Sequence, residues 1–262
     1  MSKPGIRLHL VAGVVLCASS LGAGPSVAAT DTKSFFDNFD SLASSRWYVS
    51  DGWANGAHQN CAWSKKEISA SGGYLHVGFS KEPGADNRAY ICGEVQTRTE
   101  FSYGTYEARY KTPAGSGLNA AFFTYIAPPK AASHDEIDFE GLLKDTSKVQ
   151  TGGFANNKGV KSQTPDLPKP SDSDFIDYAM VWAPGKLDYY VDGKLVHSVT
   201  DPAQVQTQPQ RIYFSLWGSD TLIDWMGPFA EPAGPLDMQV DWVAYTAPGD
   251  KCLFPQSITC SQ

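Results

Sequence analysis

Apolar side chains recur at every second position along most of this chain, the spacing that places them on one face of a β-strand. Tyr106-Glu107-Ala108-Arg109-Tyr110 alternates in this way, and so does Gly73-Tyr74-Leu75-His76-Val77. Asp188 to His197 reads as two strands joined at Asp192-Gly193, a pair suited to a two-residue hairpin turn. Met238 to Tyr245 is a further strand near the end. Turn residues recur about every ten positions, and no long stretch carries helical periodicity. The pattern predicts an all-β fold, a β-sandwich of two antiparallel sheets. Thr164 to Asp174, with three prolines, is a surface loop within one continuous set of strands.

The first 29 residues break the pattern. Lys3 and Arg7 precede an apolar run, Leu8 to Leu16, and Val27-Ala28-Ala29 offers small residues for cleavage. Residues 1–29 therefore read as a secretory signal peptide, and residues 30–262 as a single domain. The apolar run is too short to span a bilayer, and no later segment could do so. The expectation is an exported protein, secreted or periplasmic, without a membrane partner and acting as a monomer.

Composition sharpens this. The chain is 42% hydrophobic, enough for a sizeable core in 262 residues. Its net charge of −7 becomes −9 once Lys3 and Arg7 are removed. A surface this acidic repels phosphate backbones, so nucleic acid is excluded as a partner and a neutral substrate fits. Beyond Cys17 the cysteines are Cys61, Cys92, Cys252 and Cys260, an even number in an exported chain. Three pairings are open. Cys61–Cys92 with Cys252–Cys260 is favoured, the second closing a short C-terminal loop.

The chemistry-bearing run is His134-Asp135-Glu136-Ile137-Asp138-Phe139-Glu140. On a strand, Glu136, Asp138 and Glu140 share one face, while Ile137 and Phe139 point into a core. Three acids in a row repel each other, which is costly on a surface and useful in a cleft. An exposed acidic strand or an oxygen-rich metal site would carry the same letters. Glycoside hydrolysis needs two carboxyl groups across the scissile bond, about 5–5.5 Å apart where configuration is retained. Residues four apart on a strand lie about 13 Å apart at Cα. Long Glu side chains leaning over the shorter Asp138 can close that gap. Asp138 can also hydrogen-bond a neighbouring Glu and push the two glutamate pKa values apart.

The Glu-x-Asp-x-Glu strand resembles glycoside hydrolase family 16. So do Ser34-Phe35-Phe36-Asp37, Asp51 to Gly56, Tyr103 to Glu107, Phe122 to Tyr125, Lys144 to Gln150, Ser215-Leu216-Trp217 and Asp241-Trp242-Val243, all similar to bacterial lichenases. Gly117 to Val149, and Tyr189 through Trp225-Met226-Gly227 to the last cysteines, resemble rhizobial endoglycanases that trim succinoglycan. The resemblance spans Ser34 to Tyr245. It implies a concanavalin-like jelly roll with a cleft on the concave sheet and a retaining endo-β-glycanase acting on a 1,3-1,4-β-glucan or an acidic exopolysaccharide. Glu136 would be the nucleophile, Glu140 the general acid/base and Asp138 their helper, with no cofactor. It also supports Cys61–Cys92. Matching positions nominate Trp53, Phe123, Tyr125 and Trp217 for stacking on sugar rings, Asn55 and Glu94 for hydroxyl groups, and Asn38, Gly73 and Asp241 for a structural calcium.

The chain departs from the lichenase pattern at His134, Gln96, Gly152 and Phe154, where lichenases carry Trp, Arg, Asn and Tyr. His134 also resembles the plant xyloglucan transglycosylases, and it would tune a glutamate or, the favoured reading, line the cleft edge. A transglycosylase on the same fold, or a lectin-like binding module, is the competing function.

Overall fold

The computed structural model describes residues 33–260. The leader, residues 1–29, lies outside them. Sixteen strands occur among the described residues: β1 (Phe35–Asp37), β2 (Trp47–Val49), β3 (Cys61–Trp63), β4 (Ile68–Ser71), β5 (Tyr74–Ser80), β6 (Tyr90–Thr97), β7 (Gly104–Lys111), β8 (Leu118–Ile126), β9 (Asp135–Leu142), β10 (Gln150–Ala155), β11 (Lys158–Gly159), β12 (Ile176–Ala183), β13 (Lys186–Val191), β14 (Lys194–Val199), β15 (Arg211–Gly218) and β16 (Leu236–Thr246). The single α-helix among them, α1 (Ile223–Met226), is one turn.

The strands form two layers. One follows the order β11-β10-β9-β8-β15-β6, with β2 against the far end of β6; the other runs β5-β16-β7-β12-β13-β14. Strand β6 belongs to both, pairing with β15 through Gly93–Gln96 and with β5 through Ile91–Cys92. Pairing is antiparallel except between β3 and β6. This is the jelly-roll sandwich that the alternation and the resemblance predict. The Asp192-Gly193 turn joins β13 to β14 with both residues at positive φ, 45° and 73°, a geometry that glycine tolerates best. The proline-rich loop bridges to the edge of the first layer through Gln163 and Asp166.

The core lies between the layers and is rich in rings. Tyr110 stacks on Tyr178 with centroids 4.2 Å apart, and Phe122 stacks on Phe214 at 5.2 Å. Both cysteine pairs form as expected, Cys61–Cys92 and Cys252–Cys260. The first is fully buried and ties β3 to β6. The second closes the C-terminal loop, which docks on the buried carboxylate of Glu107. That carboxylate accepts the Ser257 hydroxyl at 2.6 Å and the Ile258 N–H at 2.9 Å. Phe254 of this loop packs on Trp242 and Phe36.

The two disulfides differ in loop size, with sequence separations of 31 and 8. Loop-closure entropy then makes the first worth about 3–4 kcal/mol and the second about 2–3 kcal/mol. Urea unfolding of Cys61→Ala/Cys92→Ala and Cys252→Ala/Cys260→Ala double variants should show the larger loss in the first. The reverse order would place the greater constraint in the C-terminal loop.

Candidate active site

Strand β9 lies between β8 and β10, and its two faces differ sharply. Ile137 and Phe139 are 0% exposed in the core, whereas Glu136, Asp138 and Glu140 face outward onto the first layer. Register fixes their neighbours. On β8, Tyr125 lies opposite Glu136, Phe123 opposite Asp138 and Ala121 opposite Glu140. On β10, Phe154 lies opposite Glu136 and Gly152 opposite Asp138. A side chain at Gly153 would place its Cβ 2.0 Å from the Glu136 carbonyl oxygen, and φ there is 133°, so only glycine allows β10 this close.

The two glutamates line one open cleft of about 920 Å³, while Asp138 between them is buried. Glu136, Glu140, Trp53, Asn55, Glu94, Phe123, Tyr125 and Trp217 all face it. Its lining mixes aromatic rings with amides and carboxyl groups, which suits a ligand with hydroxyl rims and apolar faces. Phe123 stacks on Tyr213 with centroids 4.8 Å apart, while its neighbour Phe122 takes the core side. Trp53 is exposed and edge-on to the buried Trp63. Trp217 sits near Trp225, whose Nε1 donates to Gln150 Oε1 at 2.7 Å.

The three acids meet different surroundings. Glu136 Oε2 lies 2.8 Å from His134 Nε2, a hydrogen bond between neighbouring positions on the same face. His134 is itself held by stacking on Phe154 at 4.3 Å. His134 is not among the residues that line the cleft; its contact is with Glu136, from the side. Glu140 accepts from Asn119 Nδ2 at 2.5 Å. Burial pushes its pKa up to about 7, against the lowering effect of the Asn119 bond and with a smaller push from Glu136. Asp138 is raised well above the usual carboxylate range, first by burial and then by the glutamates on either side. No hydrogen bond to a neighbouring glutamate is formed, and its Oδ1 is without a partner. Of the two glutamates, Glu140 is the one whose surroundings favour holding a proton.

The glycosyl hydrolases family 16 model matches residues 55–244 of this sequence. The chain belongs to glycosyl hydrolase family 16. It is 52% identical over 228 residues to the endo-1,3-1,4-beta-glycanase ExoK of Rhizobium meliloti, covering 87% of this chain and 84% of that one. It is 35% identical to the beta-glucanase of Bacillus subtilis, over 92% and 97% of the two chains. Among solved structures, the Bacillus licheniformis beta-glucanase superposes with a TM-score of 0.77 at 31% identity, covering 83% of this chain and 99% of that one. A lichenase from a mouse hindgut metagenome gives 0.78 at 32% identity, over 82% and 99%.

Within this family 16 domain, Glu94 is buried and receives the Ser50 hydroxyl at 2.5 Å, and burial pushes its pKa up to about 7. Asn55 is exposed at the rim and receives the Trp63 Nε1 at 3.5 Å. Asn38, Gly73 and Asp241 lie away from the cleft. β7 occupies one edge of β16. On the other edge β1 pairs with 243–245 and β5 with 236–240, so Asn38 and Gly73 flank the open stretch at Asp241. Asp241 is the one charged side chain of the three, and its Oδ2 lies 3.2 Å from Arg109 Nε. Among the described residues, no cluster of three or more His, Cys, Asp or Glu side chains could hold a metal.

Sequence reading missed several residues. Asn119 is silent in sequence because its role depends on β8 register. Asp135, on the core side of the acid run, accepts the backbone N–H groups of Asn156, Thr207 and Gln208 and so pins the start of β9. Gln206 donates to the carbonyl oxygens of Glu136 and Phe154. A fourth acid, off the alternating positions, was the signal for Asp135; for Gln206 there was none.

Because Glu140 holds its proton up to about pH 7, any step that needs it protonated weakens as pH rises through that value. The pH profile of kcat/KM should show an alkaline limb near 7. Asn119→Ala removes a bond that favours the charged form, so the limb should move to higher pH. An unmoved limb would assign it to another group.

Proposed function

We propose that the chain is an exported, retaining endo-β-glycanase that hydrolyses internal β-glucosidic bonds of a 1,3-1,4-β-glucan or a succinoglycan-type exopolysaccharide. The observation that carries this is the pair Glu136 and Glu140, on one face of one strand and lining one cleft, with burial pushing the pKa of Glu140 up to about 7. Glu140 donates its proton to the glycosidic oxygen as the bond breaks, and Glu136 attacks the anomeric carbon from the opposite face. The resulting glycosyl ester is opened by water, which gives its proton to Glu140. Asp138 lies between the two, where burial and its neighbours oppose a third negative charge on the strand. Trp53, Phe123, Tyr125 and Trp217 receive sugar rings, while Asn55 and Glu94 take hydroxyl groups. The leader in residues 1–29 supports export to the periplasm or the medium, a location that suits two disulfides, and the domain acts as a monomer. Asn38, Gly73 and Asp241 would hold a calcium that stabilises the fold and takes no part in the chemistry.

Reducing-sugar release from lichenan, laminarin, xyloglucan and succinoglycan tests this. Activity is expected on lichenan or succinoglycan, and it should be lost in Glu136→Ala and Glu140→Ala while the fold survives. Azide should restore turnover to Glu136→Ala with inverted product, since it replaces the nucleophile from the opposite face. Rescue with retained product would exchange the two roles, and accumulation of longer chains would make the reaction a transglycosylation. A chelator such as EGTA should lower the melting temperature of the protein, and an unchanged melting temperature would remove calcium from the account.

A further inference from the structure

The cleft of this acidic protein is not acidic throughout. Beyond Glu136, its lining includes three cations, Arg98, Lys130 and Arg211. They come from neighbouring places in the first layer. Arg211 begins β15 and lies opposite Tyr125, Arg98 follows β6 directly, and Lys130 lies in the connection after β8. The opposite bank, around Trp53, Asn55 and Trp217, holds no cation among the lining residues.

Their charges are under-compensated. Arg211 meets one carboxylate, Glu100, at 3.3 Å, and gives a further hydrogen bond to the neutral Gln96 at 3.2 Å. Its Nε is buried with no partner. Arg98 donates to the Ser44 carbonyl at 2.7 Å and lies over the Tyr48 ring, with no carboxylate beside it among the described residues. The ammonium of Lys130 is exposed, and no hydrogen bond or ion pair engages it. The acids that face this bank are Glu100, Glu94 and Glu136. Glu94 is buried with its pKa pushed up to about 7. A chain of net charge −7 thus concentrates unpaired positive charge in the one groove that receives its substrate.

We infer that Arg98, Lys130 and Arg211 form a subsite for a carboxylate borne by a sugar of the bound polysaccharide, on the Glu136 side of the cleft. The inference rests on the reading of this cleft as a glycan site and specifies the charge of the glycan. A planar carboxylate matches a guanidinium fork, and Lys130 supplies a flexible second charge. Neutral sugars stack equally well on Phe123 and Tyr213, so the cations add preference for acid-bearing chains. The net negative charge would oppose that preference without them.

The test is affinity electrophoresis through gels containing mixed-linkage β-glucan or its partially carboxymethylated form, with Glu136→Gln used to hold turnover off. The carboxymethylated chain should bind about fivefold more tightly at low salt, and 0.5 M NaCl should remove the difference. Lys130→Gln, on an exposed and unpaired side chain, should lower the ratio of the two affinities about threefold, and Lys130→Gln/Arg98→Gln should lower it further. Equal or weaker binding of the carboxymethylated chain by the parent protein would overturn the subsite, as would a ratio indifferent to both variants. Binding is read without catalysis. A protein that binds both chains with the expected preference, yet hydrolyses nothing before the Glu136 change, would sink the enzymatic reading and leave the subsite standing.

Discussion

The burial of Ile137 and Phe139 fixes which way β9 faces, and everything in the cleft depends on it. Each contributes about 1.5–3 kcal/mol by leaving water. A slip of one residue would expose both and drive three carboxyl groups into the core, at a far larger cost. The core therefore holds the acids in place although the acids repel each other. Asp135 and Gln206 extend this hold to the backbone. The first gathers three N–H groups at the start of the strand, and the second ties the Glu136 carbonyl to that of Phe154. Gly153 completes it by letting β10 approach where any side chain would collide.

On that rigid strand, two identical residue types become different chemical groups. Glu136 is hydrogen-bonded to the His134 ring, itself braced by Phe154. The hydrogen bond that Glu140 receives from the uncharged amide of Asn119 does not offset the desolvation that pushes its pKa up to about 7. Burial and the two flanking glutamates oppose a third charge at Asp138.

The sequence carried much of this openly. Alternation disclosed the strands at 73–77, 106–110 and 238–245, and Asp192-Gly193 disclosed a hairpin, because both signals are local. The sharing of one face by Glu136, Asp138 and Glu140 follows from the period of a strand alone. Residues whose roles depend on pairing between distant strands were not legible. Asn119 reaches Glu140 only because β8 and β9 pair in one register, and Arg211 reaches Gln96 across 115 positions. His134 was readable as a neighbour of the acids. Its contact with Glu136 depends on Phe154, which approaches from β10.

The four positions at which this chain departs from the lichenase pattern are not scattered over the cleft. Phe154 lies opposite Glu136 and stacks on His134, which bonds Glu136. Gly152 lies opposite Asp138, and its carbonyl accepts the Tyr189 hydroxyl. Gln96 accepts from both Tyr213 and Arg211 on the bank beyond. Three of the four surround the Glu136 end of the acid run, and the fourth orients the cation that faces it. Glu140 and Asn119, on the other end, are untouched by the changes. The surroundings of Glu140 are thus free of these departures, while those of Glu136 and the adjoining wall carry them together. A change of sugar on that side, with the reaction unchanged, would call for this distribution.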